Sequence, residues 1–117
     1  MVDHIQIKTG VVFKLIPQAF LPVFSVLLAL ANRYHFTPVL TGAAEHRKVA
    51  GDTHDSGFAW DIRTSNMHNP RQVYEELRFA LLAVDARYRV LYGDEAHQDH
   101  IHIAFRFQMP PLAAKTL

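Results

Sequence analysis

Apolar residues crowd the chain into two long stretches and several short ones. From 18 to 34 the sequence is apolar nearly all round, through Phe20, Val23, Phe24, Leu27, Leu28, Leu30 and Ala31. That pattern predicts a central core helix that carries no chemistry. A second helix is predicted after Asn69-Pro70. Asn69 is the candidate N-cap, and Pro70 takes the first position, where a missing N–H costs nothing. Val73, Leu77, Ala80, Leu81 and Val84 then recur at helical spacing, and Glu75 and Glu76 near the start suit the positive end of the helix dipole. Short β-prone runs fall at 5–8, 39–41, 58–62, 88–92 and 100–107, separated by turns containing Gly and Asp. Two helices and several strands outside regular βα alternation predict an α+β fold. Its sheet is small and antiparallel or mixed, with helices packed on one side and the site-forming residues at strand ends.

Within the short runs, alternation places the chemistry. In His100-Ile101-His102-Ile103 the period is two, so both imidazoles project from one face and both isoleucines from the other. His97 precedes them, behind Asp94, Glu95 and Asp99. Taken alone, an H-x-H motif fits the polar side of an edge strand as well as it fits a metal site. A second cluster runs His54-Asp55-Ser56-Gly57-Phe58-Ala59-Trp60-Asp61. There Ala59 and Asp61 share one strand face, while Phe58 and Trp60 share the face that packs in the core. Gly57 permits a turn that would carry the His54 ring back toward the Asp61 carboxylate. Taken alone, this cluster reads better as a loop followed by a core strand with an incidental acid.

Together the clusters resemble the zinc peptidase family that contains D-alanyl-D-alanine carboxypeptidases and dipeptidases and the L-alanyl-D-glutamate endopeptidases of phage endolysins. That family pairs H-x-x-G-x-A-x-D with a later H-x-H, matched here by His54, Gly57, Ala59 and Asp61 and then by His100 and His102. The resemblance covers 37–105, including Val39-Leu40-Thr41-Gly42 as the approach to the site. It implies a Hedgehog/DD-peptidase-like fold with His54, Asp61 and His102 as zinc ligands. Two imidazoles and one carboxylate leave the metal's fourth position open for water, as in catalytic sites. The resemblance gives Asp99 the place of the general base, where many members carry Glu, with Glu95 as the substitute and His100 or His97 at the oxyanion. On a regular strand Asp99 would face away from His102, so this role requires an irregular lead-in at His97 and Gln98. Arg47 is the nearest equivalent of the family's substrate-binding arginine, and a guanidinium there would clamp a carboxylate bidentately. Asp52 stands where the family usually has Ser. The implied substrate is the peptidoglycan stem peptide, cut at an L-Ala-D-Glu or a D-Ala-D-Ala bond, and the short chain favours the endopeptidase. The rival readings are a non-catalytic zinc-binding or peptide-binding module of the same fold, a zinc hydrolase acting on esters or phosphoesters, and a histidine-rich structural domain.

Composition narrows these readings. The 117 residues, 50% hydrophobic and 20% charged, suit one domain over 1–117, which the resemblance makes a catalytic one, with a small apolar tail at 110–117. The chain has no cysteine, so metal ligands are His, Asp or Glu. A formal charge of +1 without a basic stripe argues against nucleic acid as a partner. The apolar stretch 20–31, broken by Pro22 and Ser25, falls short of the ~20 residues of a membrane span. Asp3 and His4 stand where a signal peptide would carry Lys or Arg, so no export signal is expected. The expectation is then a monomer made in the cytoplasm that acts at the bacterial cell wall, as phage-encoded lytic enzymes do. His4, His35, His46 and His68 have no partner pattern and read as surface or capping residues.

Overall fold

A computed structural model describes residues 1–11, 18–42, 59–94 and 97–106. In chain order the elements are β1 (Gln6–Ile7), α1 (Phe20–Tyr34), β2 (Val39–Gly42), β3 (Ala59–Arg63), α2 (Pro70–Val84), β4 (Tyr88–Leu91) and β5 (His100–Phe105). The strands form one mixed sheet in the order β1-β2-β3-β5-β4. β1 pairs with β2 in parallel, and every other pairing is antiparallel. The fold class is therefore α+β, as the pattern predicts.

The register between β3 and β5 decides which face is which. Trp60 lies opposite Ile103 and Ile62 opposite Ile101, and on the outer side Val90 lies opposite Ile103. Side chains of paired residues share a face. These residues, with Leu40, are all buried, and they form one cluster with Phe20, Val23, Leu27 and Leu30 of α1 and Val73, Leu77 and Leu81 of α2. Phe20 sets its ring against Trp60 at 5.1 Å between centroids. Both helices thus cover one side of the sheet. The other side receives Ala59, Asp61 and Arg63 from β3 and His100, His102 and Ala104 from β5, the alternate residues of the same strands.

Several expectations need correction. α1 is not a central helix: Leu21 is 59% exposed, and the buried stripe is Phe20, Val23, Leu27, Leu30 and Ala31. Among the described residues α1 has the sheet and α2 to pack against, and Leu21 lies on its exposed face. Its C-cap is His35, in the left-handed region at φ 58°, with its N–H donating to the Ala31 carbonyl. Asn69 does precede α2, but its side chain makes no capping hydrogen bond. Glu75 and Glu76 lie beyond the first turn, where the dipole's effect has faded. Glu76 instead ties the helices together, accepting from Arg33 Nη1 at 2.7 Å and from the Tyr34 hydroxyl.

The sheet corrects two more. β5 is not an edge strand, because it lies between β3 and β4. Asp61 and His102 sit in the middle of their strands rather than at the ends, since the β3–β5 pairing extends from Ala59 to Arg63.

The Tyr88 hydroxyl donates to the carbonyl of Ala19, at the start of α1. Burial, with the Asp85 charge adding to it, pushes the phenol up from 10.0 to about 12. A group whose pKa is raised by folding contributes stability that is whole below the unfolded value and is lost as pH rises through the folded one. Urea unfolding should therefore show stability falling between pH 10.0 and about 12. Tyr88→Phe should flatten that fall; an unchanged slope in the variant would assign it to other groups.

Candidate metal centre

Antiparallel pairing sets Asp61 directly opposite His102. The His102 Nδ1 lies 2.9 Å from Asp61 Oδ1, and each side chain is 13% exposed. An ionised carboxylate can only accept, so Nδ1 carries the proton of this bond. Partial burial strengthens it by weakening the competition from water. On the other flank of β3, Gly42 lies opposite Asp61 and places no side chain beside the carboxylate. The β2–β3 register shifts between Leu40 and Gly42, an irregularity of the kind that re-aims side chains near functional sites. It turns the Thr41 hydroxyl toward the Asp61 carbonyl, 3.4 Å away.

Two further imidazoles stand around this pair. His100 shares the face of His102 and lies opposite Arg63. Its Nε2 is 3.6 Å from Asp61 Oδ1, and its Nδ1 is 2.7 Å from Asp99 Oδ1. Asp99 occupies a bend just before β5, the irregular lead-in its expected role requires, and lines the same cleft as Asp61. The hydrogen bond from His100, aided by that ring's charge, holds the Asp99 carboxyl below the usual range, although its side chain is 91% exposed. The His97 ring lies 5.3 Å from that of His100 and 5.1 Å from that of His102, with its Nδ1 2.6 Å from Asp94 Oδ1.

The turn after β4 positions His97. Gly93 adopts φ 90°, a conformation that suits glycine, and its N–H donates to the His97 carbonyl at 2.7 Å. A Cβ at this position would meet the Arg71 guanidinium, which lies over the rings of Tyr74 and Tyr92 at 5.4 and 5.1 Å. Arg71 on α2 thus packs beneath the backbone that carries Asp94 and His97.

Of the residues expected to form the site, Asp61, His97, Asp99, His100 and His102 come together. His54, Arg47, Asp52, Gly57 and Glu95 lie outside the described residues. Lys8, Arg63 and Ser65 were not singled out from the sequence, yet with Thr41 of the expected approach to the site and with Asp61, Asp99 and His100 they line a cleft of about 480 Å³. The period-two alternation that set Asp61 on this face also sets Arg63 there. Lys8 had no such signal, because it arrives through the long-range pairing of β1 with β2.

Among the described residues no group of three or more His, Asp or Glu side chains could hold a metal ion. Asp61 and His102 supply two donors, and the expected third, His54, is outside that set. The two fit zinc chemically, as a carboxylate oxygen and an imidazole nitrogen. Tetrahedral zinc with bonds of 2.0–2.1 Å separates its donors by about 3.3 Å, so the observed 2.9 Å needs to open by only a few tenths.

Nitrogen-15 NMR of the metal-free protein should find His102 as the Nδ1–H tautomer, with Asp61→Ala releasing that preference. An Nε2–H tautomer in the metal-free wild type would contradict the Asp61–His102 bond.

No helix among the described residues is long and apolar enough to cross a membrane. Compared with the models of known protein families, with curated proteins and with solved structures, the chain matches none.

Proposed function

We propose that the chain is a zinc-dependent peptidase of Hedgehog/DD-peptidase-like fold that cleaves the stem peptides of bacterial peptidoglycan and acts at the cell wall. The observation that carries this reading is the Asp61–His102 pair, 2.9 Å apart across two inner strands and ringed by His100 and His97. Asp61, His102 and His54 would hold the zinc. Bound there, it would supply Lewis-acid polarisation of the scissile carbonyl and a more acidic water.

The chain's own groups have separable tasks. His102 would give up its Nδ1 proton to become a donor, so metal uptake is coupled to proton release. Asp99 takes a proton at Oδ2, since its Oδ1 is engaged by His100. His100 orients that carboxylate through Nδ1 and turns Nε2 toward Asp61. His97, with its Nδ1 on Asp94, has its Nε2 available to a developing oxyanion when the ring is protonated.

One observation favours the second reading, a zinc-binding or peptide-binding module without turnover. Asp99 is solvent-exposed and its carboxyl is held below the ordinary range, which makes it a weak base.

Thermal unfolding and muropeptide cleavage, measured on wild type, His102→Ala and Asp99→Asn, separate the readings. Zinc should stabilise the wild type, by about 4 kcal/mol at a thousandfold excess over Kd, and a chelator should reverse the effect. His102→Ala should lose most of this response. Asp99→Asn should keep it while cleavage falls by ~10² or more. Zinc stabilisation without cleavage in the wild type would favour the binding module, and no response to zinc would contradict both.

A further inference from the structure

His97 reaches the site without a strand to hold it. It lies between β4 and β5, yet its side chain is only 18% exposed and its ring stands 5.3 Å from that of His100 and 5.1 Å from that of His102. Its anchors are local. The His97 carbonyl accepts from the Gly93 N–H at 2.7 Å, its own N–H donates to the Asp94 carbonyl at 3.1 Å, and its Nδ1 meets Asp94 Oδ1 at 2.6 Å. The ring therefore goes where residues 93 and 94 go. Support for those two comes from α2. Arg71, in its first turn, lies over the rings of Tyr74 and Tyr92, which tilt against each other at 47° with centroids 5.8 Å apart. From this platform the guanidinium closes one side of Gly93, where a Cβ would have Arg71 Cζ 3.4 Å away and Nη2 closer still. The helix is in turn fixed to the core by Val73, Leu77 and Leu81, all fully buried.

We propose that Arg71 is a positioning residue, which sets the place of the His97 ring from outside the site by fixing the turn at Gly93. What the ring does rests on the peptidase reading; where it stands does not. Glycine visits positive and negative φ about equally readily, so Gly93 alone would leave the connection from β4 to β5 several courses. The guanidinium selects one of them by filling the space beside the Gly93 Cα. A cation over two aromatic faces is held by both ring quadrupoles, and the planar guanidinium keeps an orientation that a compact ammonium does not. The consequence for chemistry is one of distance. A group misplaced by about 1 Å can cost as much as 10² in rate, and an oxyanion donor acts only where the charge develops. Arg71 itself is exposed, so its replacement costs little global stability, which separates positioning from folding.

NMR of the full chain reads the placement without turnover, in wild type, Arg71→Gln and Arg71→Lys. In Arg71→Gln the Gly93 amide should exchange with solvent about tenfold or more faster, while the amides of Trp60, Ile101 and Ile103 keep their rates. The ring NOEs from His97 to His100 and His102 should weaken in the same variant. Arg71→Lys, which keeps the charge over the rings but loses the plane, should fall between the two. On muropeptides, Arg71→Gln should lower kcat about tenfold with KM nearly unchanged, because the oxyanion exists only in the transition state. Unchanged Gly93 exchange and unchanged His97 NOEs in Arg71→Gln would overturn the assignment. So would an equal acceleration of the β3 and β5 amides, which would make Arg71 a residue of general stability, or a loosened turn with kcat intact. The two proposals fail separately. Local loosening in Arg71→Gln, beside a wild type that cleaves nothing, supports the placement of His97 by Arg71 and sinks the peptidase, whereas cleavage with the turn indifferent to Arg71 spares the peptidase alone.

Discussion

The pairing of β3 with β5 is the constraint on which both the core and the site depend. One register sets Trp60 against Ile103 and Ile62 against Ile101 on the helical side, and the same register sets Asp61 against His102 on the other. Because side chains alternate with period two, a slip of one residue would turn the slipping strand over, driving the Asp61 carboxylate of β3 or the imidazoles of β5 under the helices and exposing that strand's apolar residues. Burial of Trp60, Ile62, Ile101 and Ile103, each at about 25 cal/mol per Å² of apolar surface, is what holds the register. The polar pair inherits its geometry from the apolar one.

That inheritance explains how a charged group is tolerated mid-strand in a sheet. Asp61 lies largely out of water, where an ionised carboxylate is costly unless it is hydrogen-bonded. His102 supplies the bond, and Gly42 on the neighbouring strand keeps the carboxylate uncrowded. The outer histidines are oriented in the same manner, His97 by Asp94 and His100 by Asp99, each through Nδ1. Such carboxylate–imidazole pairs fix ring orientation, as outer partners do around metal ligands. Arg71, packed against Tyr74 and Tyr92 under the tight turn at Gly93, connects α2 to the segment that carries the first of these pairs.

Period-two patterns made most of this face legible in the sequence. The alternation in His100-Ile101-His102-Ile103 and in Ala59-Trp60-Asp61 identified which residues face the helices and which do not. The same pattern was blind to strand order, so it left open whether the histidines stood on an edge, and it suggested strand ends where the pairing gives strand centres. Helix positions followed from apolar spacing and from Asn69-Pro70, but the surroundings of each helix did not. The helix over 18–34 looked central because hydrophobicity alone cannot tell a helix covered on all sides from one that, like α1, leaves a residue such as Leu21 exposed. Glu76 looked like a dipole partner, and its use by Arg33 and Tyr34 depends on a packing between helices that no local pattern encodes. Lys8 was missed for the same reason.

The central claim is that Asp61 and His102 are two ligands of one zinc ion. Anomalous scattering at the zinc edge, from crystals grown with one equivalent of the metal, tests it most directly. The account predicts a single strong peak within about 2.0–2.2 Å of an Asp61 carboxylate oxygen and of His102 Nδ1. A peak elsewhere, or a map in which those two atoms keep their 2.9 Å hydrogen bond with no metal between them, would contradict it.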